Sequence, residues 1–134
     1  MKSLLASLAL ALVLSPAFAA PADFADLRTK LSAARESLVT MLVNKDKRGA
    51  DHQKVVKDTA DAVSASLAKM KAPAGKEAQF KALVESWNAF KKTRETELVP
   101  AILAGKEEEA KKIATGIQKE RITKCQQLVG ELGG

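Results

Sequence analysis

The chain has 134 residues with a formal net charge of +6 at pH 7, and 46% of it is hydrophobic, an ordinary share for a globular domain with one core. A single cysteine, Cys125, excludes an intramolecular disulfide, and a single histidine, His52, leaves little material for metal or acid–base chemistry. The few aromatic residues do not alternate with basic ones, so nucleic acid is not an expected partner.

Residues 1–19 read as an export signal. Met1-Lys2 gives a positive start, Leu4 to Leu14 is an apolar core too short to span a membrane comfortably, and Ala17-Phe18-Ala19 is a small-residue cleavage site. A cut after Ala19 starts the mature chain near Ala20 and predicts an exported, periplasmic protein. No later stretch is long and uncharged enough for a membrane span. Residues 20–134 are enough for one domain around one core. Acids interleave with bases, as in Lys45-Asp46-Lys47-Arg48, so the charge reads as solubility with a mild attraction for anionic partners.

The pattern predicts an all-α, up-down-up-down antiparallel four-helix bundle. A first helix is expected over 23–43, where Phe24, Leu27, Leu31, Ala34, Leu38 and Met41 recur at spacings of three and four. Asn44 to Gly49 is a polar turn. A second helix spans about 50–71, with Val55, Thr59, Ala62, Val63, Ser66 and Met70 inward. That face is small, so close packing and low stability are expected of it. Ala72-Pro73-Ala74-Gly75 ends it.

The third helix covers about 76–104. Phe80, Leu83, Val84, Trp87, Phe90, Leu98 and Ile102 share one side, and Pro100 should kink or shorten its last turn. Gly105 stops it. The fourth helix runs from about 106 to 132, opening on Glu107-Glu108-Glu109, which suits the positive end of a helix dipole. Ala110, Ile113, Ala114, Ile117, Cys125, Leu128 and Leu132 form its apolar face, and its glycine-containing end should fray.

Two arginines interrupt these stripes. In a hairpin pivoting at Gly105, Arg94 and Arg121 lie about 7 to 8 Å apart in height, close enough to meet one small anion. Trp87, Phe90 and Lys124 lie on the same seam, and the five residues form the expected ligand site. The plainer reading pairs the arginines with Glu95, Glu97 and Glu120 at the rim, their stems lying along the core. Arg28 and Arg35, a heptad apart on helix 1, could line a homodimer interface.

Other chemistry finds less footing. Antiparallel order separates His52 from Cys125 by about 25 Å, so they cannot share a metal. His52 reads as a partly buried hydrogen-bonding side chain, and Cys125 as an inert small apolar residue. No nucleophile, base and orienting acid converge, so no enzyme is expected and no cofactor is required.

The run Trp87-x-x-Phe90-x-x-x-Arg94, then Ala104-Gly105-Lys106 and Glu108-Glu109-Ala110, resembles the periplasmic four-helix sensor domain of methyl-accepting chemotaxis receptors. The resemblance, clearest over residues 80–132, implies an extracytoplasmic bundle that binds small solutes, often as a dimer with ligand at the interface. A second membrane helix and a cytoplasmic signalling region are missing, so it implies a free-standing soluble relative. The architecture is also similar to soluble four-helix b-type cytochromes. Those place a methionine early in helix 1 and a histidine late in helix 4. Here Phe24, Leu27 and Arg28 open helix 1 and Cys125 stands roughly where the histidine would. The leading expectation is a non-enzymatic binding protein for a small anionic solute or a partner protein. The alternative is a haem-binding, electron-transfer protein.

Overall fold

The computed structural model describes residues 21–133; the expected export signal and its cut after Ala19 lie outside them. The described residues form four antiparallel rods: α1 (Pro21–Val43), α2 (Ala50–Lys69), a third rod of α3 (Glu77–Thr93) and α4 (Val99–Leu103), and a fourth of α5 (Glu107–Thr115) and α6 (Ile117–Gly133). The expected all-α bundle is therefore present. The backbones approach most closely between α1 and α2, α3 and α6, and α1 and α6. Between α2 and α3 the gap is wider, and Trp87 of α3 and Arg94 just after it reach across to α2.

The first rod follows its sequence pattern throughout. Phe24, Leu27, Leu31, Ala34, Leu38 and Met41 are all buried, since their spacing keeps one stripe facing inward over about five turns. The second does not. Val56, Ala60, Val63 and Leu67 are buried, whereas Val55 is 45% exposed and Ser66 is only half-buried. The face is rotated by about one residue because this register takes both Val56 and Leu67 out of water, which the expected register would not. Thr59 stays at the edge and shares a hydrogen bond of 3.0 Å with Ser37 of α1.

In the third rod the helix widens into a π-turn, Arg94–Leu98, before resuming as α4. Pro100 explains this. In an unbroken α-helix its ring would press on the carbonyl of residue 96 and its nitrogen could not donate to it. The wide turn, closed by the Val99 amide donating to the Arg94 carbonyl, absorbs a residue and leaves Pro100 in the first turn of α4, where no donor is required. The rod stops at Gly105, whose φ of +75° suits a residue without a side chain. Lys106 donates to the Ala101 carbonyl at 2.9 Å and Gly105 to Ile102 at 3.1 Å, the paired bonds of a Schellman ending.

The fourth rod departs most from expectation. It breaks at Gly116, where a Cβ atom would lie 2.8 Å from the Lys112 carbonyl oxygen, so only glycine fits without moving backbone. The break turns the face of α6. Ile117, expected inside, is 43% exposed, while Gln118 and Ile122 are buried in the core. Nor does the last turn fray at its glycines: the helix continues to Gly133, where a Cβ atom would come within 3.0 Å of Phe24.

Candidate functional site

Arg94 and Arg121 both point inward, as expected, and each finds its partners inside the protein. Arg94 is 5% exposed. Its Nη1 donates to the Val56 carbonyl across the gap to α2 at 3.1 Å, and Nη2 pairs with Glu95 at 2.7 Å. Arg121 is half-buried; its Nη1 donates to the Ala89 carbonyl at 3.1 Å and to the Thr93 hydroxyl. The two guanidinium groups share no acceptor among the described residues. Of the three glutamates considered as partners, Glu95 serves Arg94. The Val56 and Ala89 carbonyls and the Thr93 hydroxyl do the rest, which leaves both charges hydrogen-bonded within the bundle.

Trp87 has no exposed surface and donates from Nε1 to the Ser64 hydroxyl at 2.9 Å. Phe90 stacks on it with ring centroids 5.4 Å apart and an interplanar angle of 25°. Lys124 is exposed. His52 hydrogen-bonds through Nε2 to the Ser37 carbonyl at 2.8 Å, tying the start of α2 to α1. Burial pushes the Cys125 thiol up to about 12, only partly offset by Lys124, so it remains protonated at neutral pH. Among the described residues no group of three His, Cys, Asp or Glu side chains could hold a metal, and no helix is long and apolar enough to cross a membrane.

A space that a ligand could enter opens away from both arginines. A groove of about 620 Å³ opens between the second half of α1 and the fourth rod on both sides of the Gly116 break. Leu38, Val39 and Leu42 form one wall, Ala114 and Ile122 the other, and Phe90 and Leu98 close the back. Of the five expected site residues, only Phe90 lines it. Arg35, Lys111 and Lys119 stand around it, and among the described residues none of their own side chains makes a hydrogen bond or ion pair. Two acids, Glu107 and Glu108, also line it, but Glu107 is already engaged by Arg48 at 2.7 Å.

One polar group in the wall is out of place. Gln118 is 2% exposed, and its Nε2 donates to the Phe90 carbonyl at 2.9 Å. Its Oε1 is the buried side-chain polar atom that lacks a partner among the described residues. The amide cannot be turned round to relieve this, because its oxygen would then face a carbonyl oxygen. An unpaired buried acceptor costs about 1–3 kcal/mol, so a core built for stability alone would carry an apolar side chain there. Periodicity could not have found Gln118, since it relies on apolar spacing and Ile117 beside it fitted that spacing better.

Arg48, read in sequence only as part of a polar turn, holds the groove's end of the bundle together. Its Nε donates to the Met41 carbonyl at 2.9 Å and its Nη2 to Leu42 at 2.7 Å, which serves the last turn of α1, a helix with no basic residue there. Its Nη1 reaches Glu107 in the first turn of α5. The carboxylate of Glu107 raises the Arg48 guanidinium, and the hydrogen bond from Arg48 holds the Glu107 carboxyl below its ordinary value despite some desolvation.

No protein-family model, curated protein or solved structure matches the chain.

Proposed function

We propose that the protein is a non-enzymatic, periplasmic binding bundle of the chemoreceptor sensor-domain kind, and that its ligand is a small amphipathic anion held in the groove between α1 and the fourth rod. The observation that carries the reading is Gln118 in the wall of that groove, a buried acceptor without a partner. A volume of about 620 Å³ suits a small solute rather than a partner protein. The lining is apolar behind, which takes a hydrocarbon or aromatic body, and Arg35, Lys111 and Lys119 supply positive charge for an acid group. The buried polar group is an amide, which neither gives nor takes a proton in the ordinary pH range, and this supports binding rather than proton-transfer chemistry. Arg94 and Arg121 enter as posts that hold the third rod to its neighbours.

The test is calorimetric titration with a panel of medium-chain and aromatic carboxylates. Saturable binding should weaken about tenfold or more when Arg35 and Lys119 are both reversed to glutamate, and should fall with added salt. Arg94→Ala should lower the melting temperature yet leave the affinity of the folded protein within about twofold. If no carboxylate binds saturably, the proposal fails. Periplasmic placement is tested by expressing the full sequence in a Gram-negative host. A protein released by osmotic shock and beginning at Ala20 supports it, and one retained in the cytoplasm with residues 1–19 attached overturns it.

A further inference from the structure

We infer that the ligand is a monoacid that lies one way round, its acid group between Arg35 of α1 and Lys119 of α6 and its apolar body running toward Val43. This rests on the groove being the binding site, and goes beyond it by fixing the ligand's direction and disfavouring diacids. Three contacts set the register of the antiparallel walls. A Cβ atom at Gly133 would meet Phe24 and one at Gly130 would meet Arg28, while Arg48 pairs with Glu107 at 2.7 Å. On that register Arg35 stands level with Ile122, and Lys119 lies about one turn, or ~6 Å, along the groove from it. Val43 stands level with Ala114, and Lys111, Glu108 and Glu107 follow beyond. The two ends of the groove are therefore unlike. At the first, Arg35 and Lys119 come from opposite walls, and no acid lines the groove beside them. At the second, Arg48 balances Glu107, and Glu108, one turn before Lys111, offsets that lysine. An anionic head settles where the positive field is uncompensated. A second acid group at the far end would lose water against Leu42, Val43 and Ala114 and would meet Glu108.

The matched probes are octanoate and octanedioate, titrated by calorimetry at low salt. The wild type should bind octanoate about fivefold or more tighter than octanedioate. Glu108→Gln, which removes the repelling charge, should narrow that gap. Arg35→Ala and Lys119→Ala should each weaken octanoate about threefold or more, and each by more than Lys111→Ala does. All four side chains are exposed, so these variants keep the fold. Octanedioate that binds as tightly as octanoate overturns the inference while leaving the groove as the binding site. So does a gap that Glu108→Gln leaves unchanged, or a loss in Lys111→Ala that equals those in the other two. Failure of both acids to bind overturns the inference and the proposed function together.

Discussion

The side-chain amide of Gln118 donates to the carbonyl oxygen of Phe90 at 2.9 Å, joining α6 to α3 behind the groove. Phe90 in turn stacks on Trp87, the one tryptophan of the chain. A ligand that presses on Phe90 therefore changes the surroundings of the only indole. Tryptophan emission should shift saturably on addition of octanoate, with the same midpoint as calorimetry. An unchanged spectrum at saturating ligand would mean that the acid binds away from Phe90.

Removing the Arg48 clip should loosen the groove's end of the bundle. Arg48→Ala leaves the Met41 and Leu42 carbonyls and Glu107 without their donor. The expected loss is about 2 kcal/mol, a fall of roughly 5–10 °C in melting temperature. The same pair predicts acid sensitivity. Glu107 is held below its ordinary value of 4.5, so the folded state binds fewer protons than the unfolded. The stability this provides is present above that value and is lost as pH falls through the lowered one. Urea midpoints should drop below pH 4.5 in the wild type and drop less in Glu107→Gln. Equal slopes for the two proteins would count against the pair.

Alkaline stability turns on Cys125. Its thiol ionises at about 12 when buried, against an ordinary 9.0. Between these values the folded state keeps a proton that the unfolded state has lost, so stability should decline as pH rises above 9. Cys125→Ala should remove that part of the decline, although the cavity it leaves costs stability at neutral pH. A disulfide reagent at pH 8 should label the native protein slowly and the urea-unfolded protein at once. Rapid labelling of native protein would place the thiol outside the core.

Gly116 sets the angle between α5 and α6. In Gly116→Ala the new methyl meets the Lys112 carbonyl oxygen at 2.8 Å, a rigid backbone group. Overpacking of this kind costs about 1–3 kcal/mol, which outweighs the gain of less than about 1 kcal/mol in helix propensity. Melting temperature and affinity for octanoate should both fall, because Lys111 and Ala114 precede the break and Lys119 and Ile122 follow it. A more stable variant with unchanged affinity would show that the break does not shape the groove.

The sequence made the bundle legible wherever one apolar stripe ran unbroken, as from Phe24 to Met41. It misled where a backbone irregularity or a weak face intervened. The second rod carries so much alanine, serine and threonine that a rotation of one residue changes the pattern little, and only packing chose Val56 and Leu67 over Val55 and Ser66. The Gly116 break turned the fourth rod so that Ile117 and Gln118 exchanged places. The inward direction of Arg94 and Arg121 was readable from their interruption of an apolar face, and Glu95 was among the expected partners, but the main-chain carbonyls of Val56 and Ala89 and the Thr93 hydroxyl were not. Arg48 was hidden for a related reason: besides Glu107, which is distant in sequence, its partners are carbonyl oxygens, which every residue possesses and no sequence pattern distinguishes.

The most direct measurement is a two-dimensional NMR titration of the ¹⁵N-labelled protein with octanoate, followed through backbone amides and the Gln118 side-chain amide. The account predicts saturable shifts clustered on Leu38, Val39, Leu42, Phe90, Ala114, Gln118 and Ile122, with the side-chain amide of Gln118 among the largest. Shifts centred on Arg94, Arg121 and Lys124, with the groove unmoved, would contradict it.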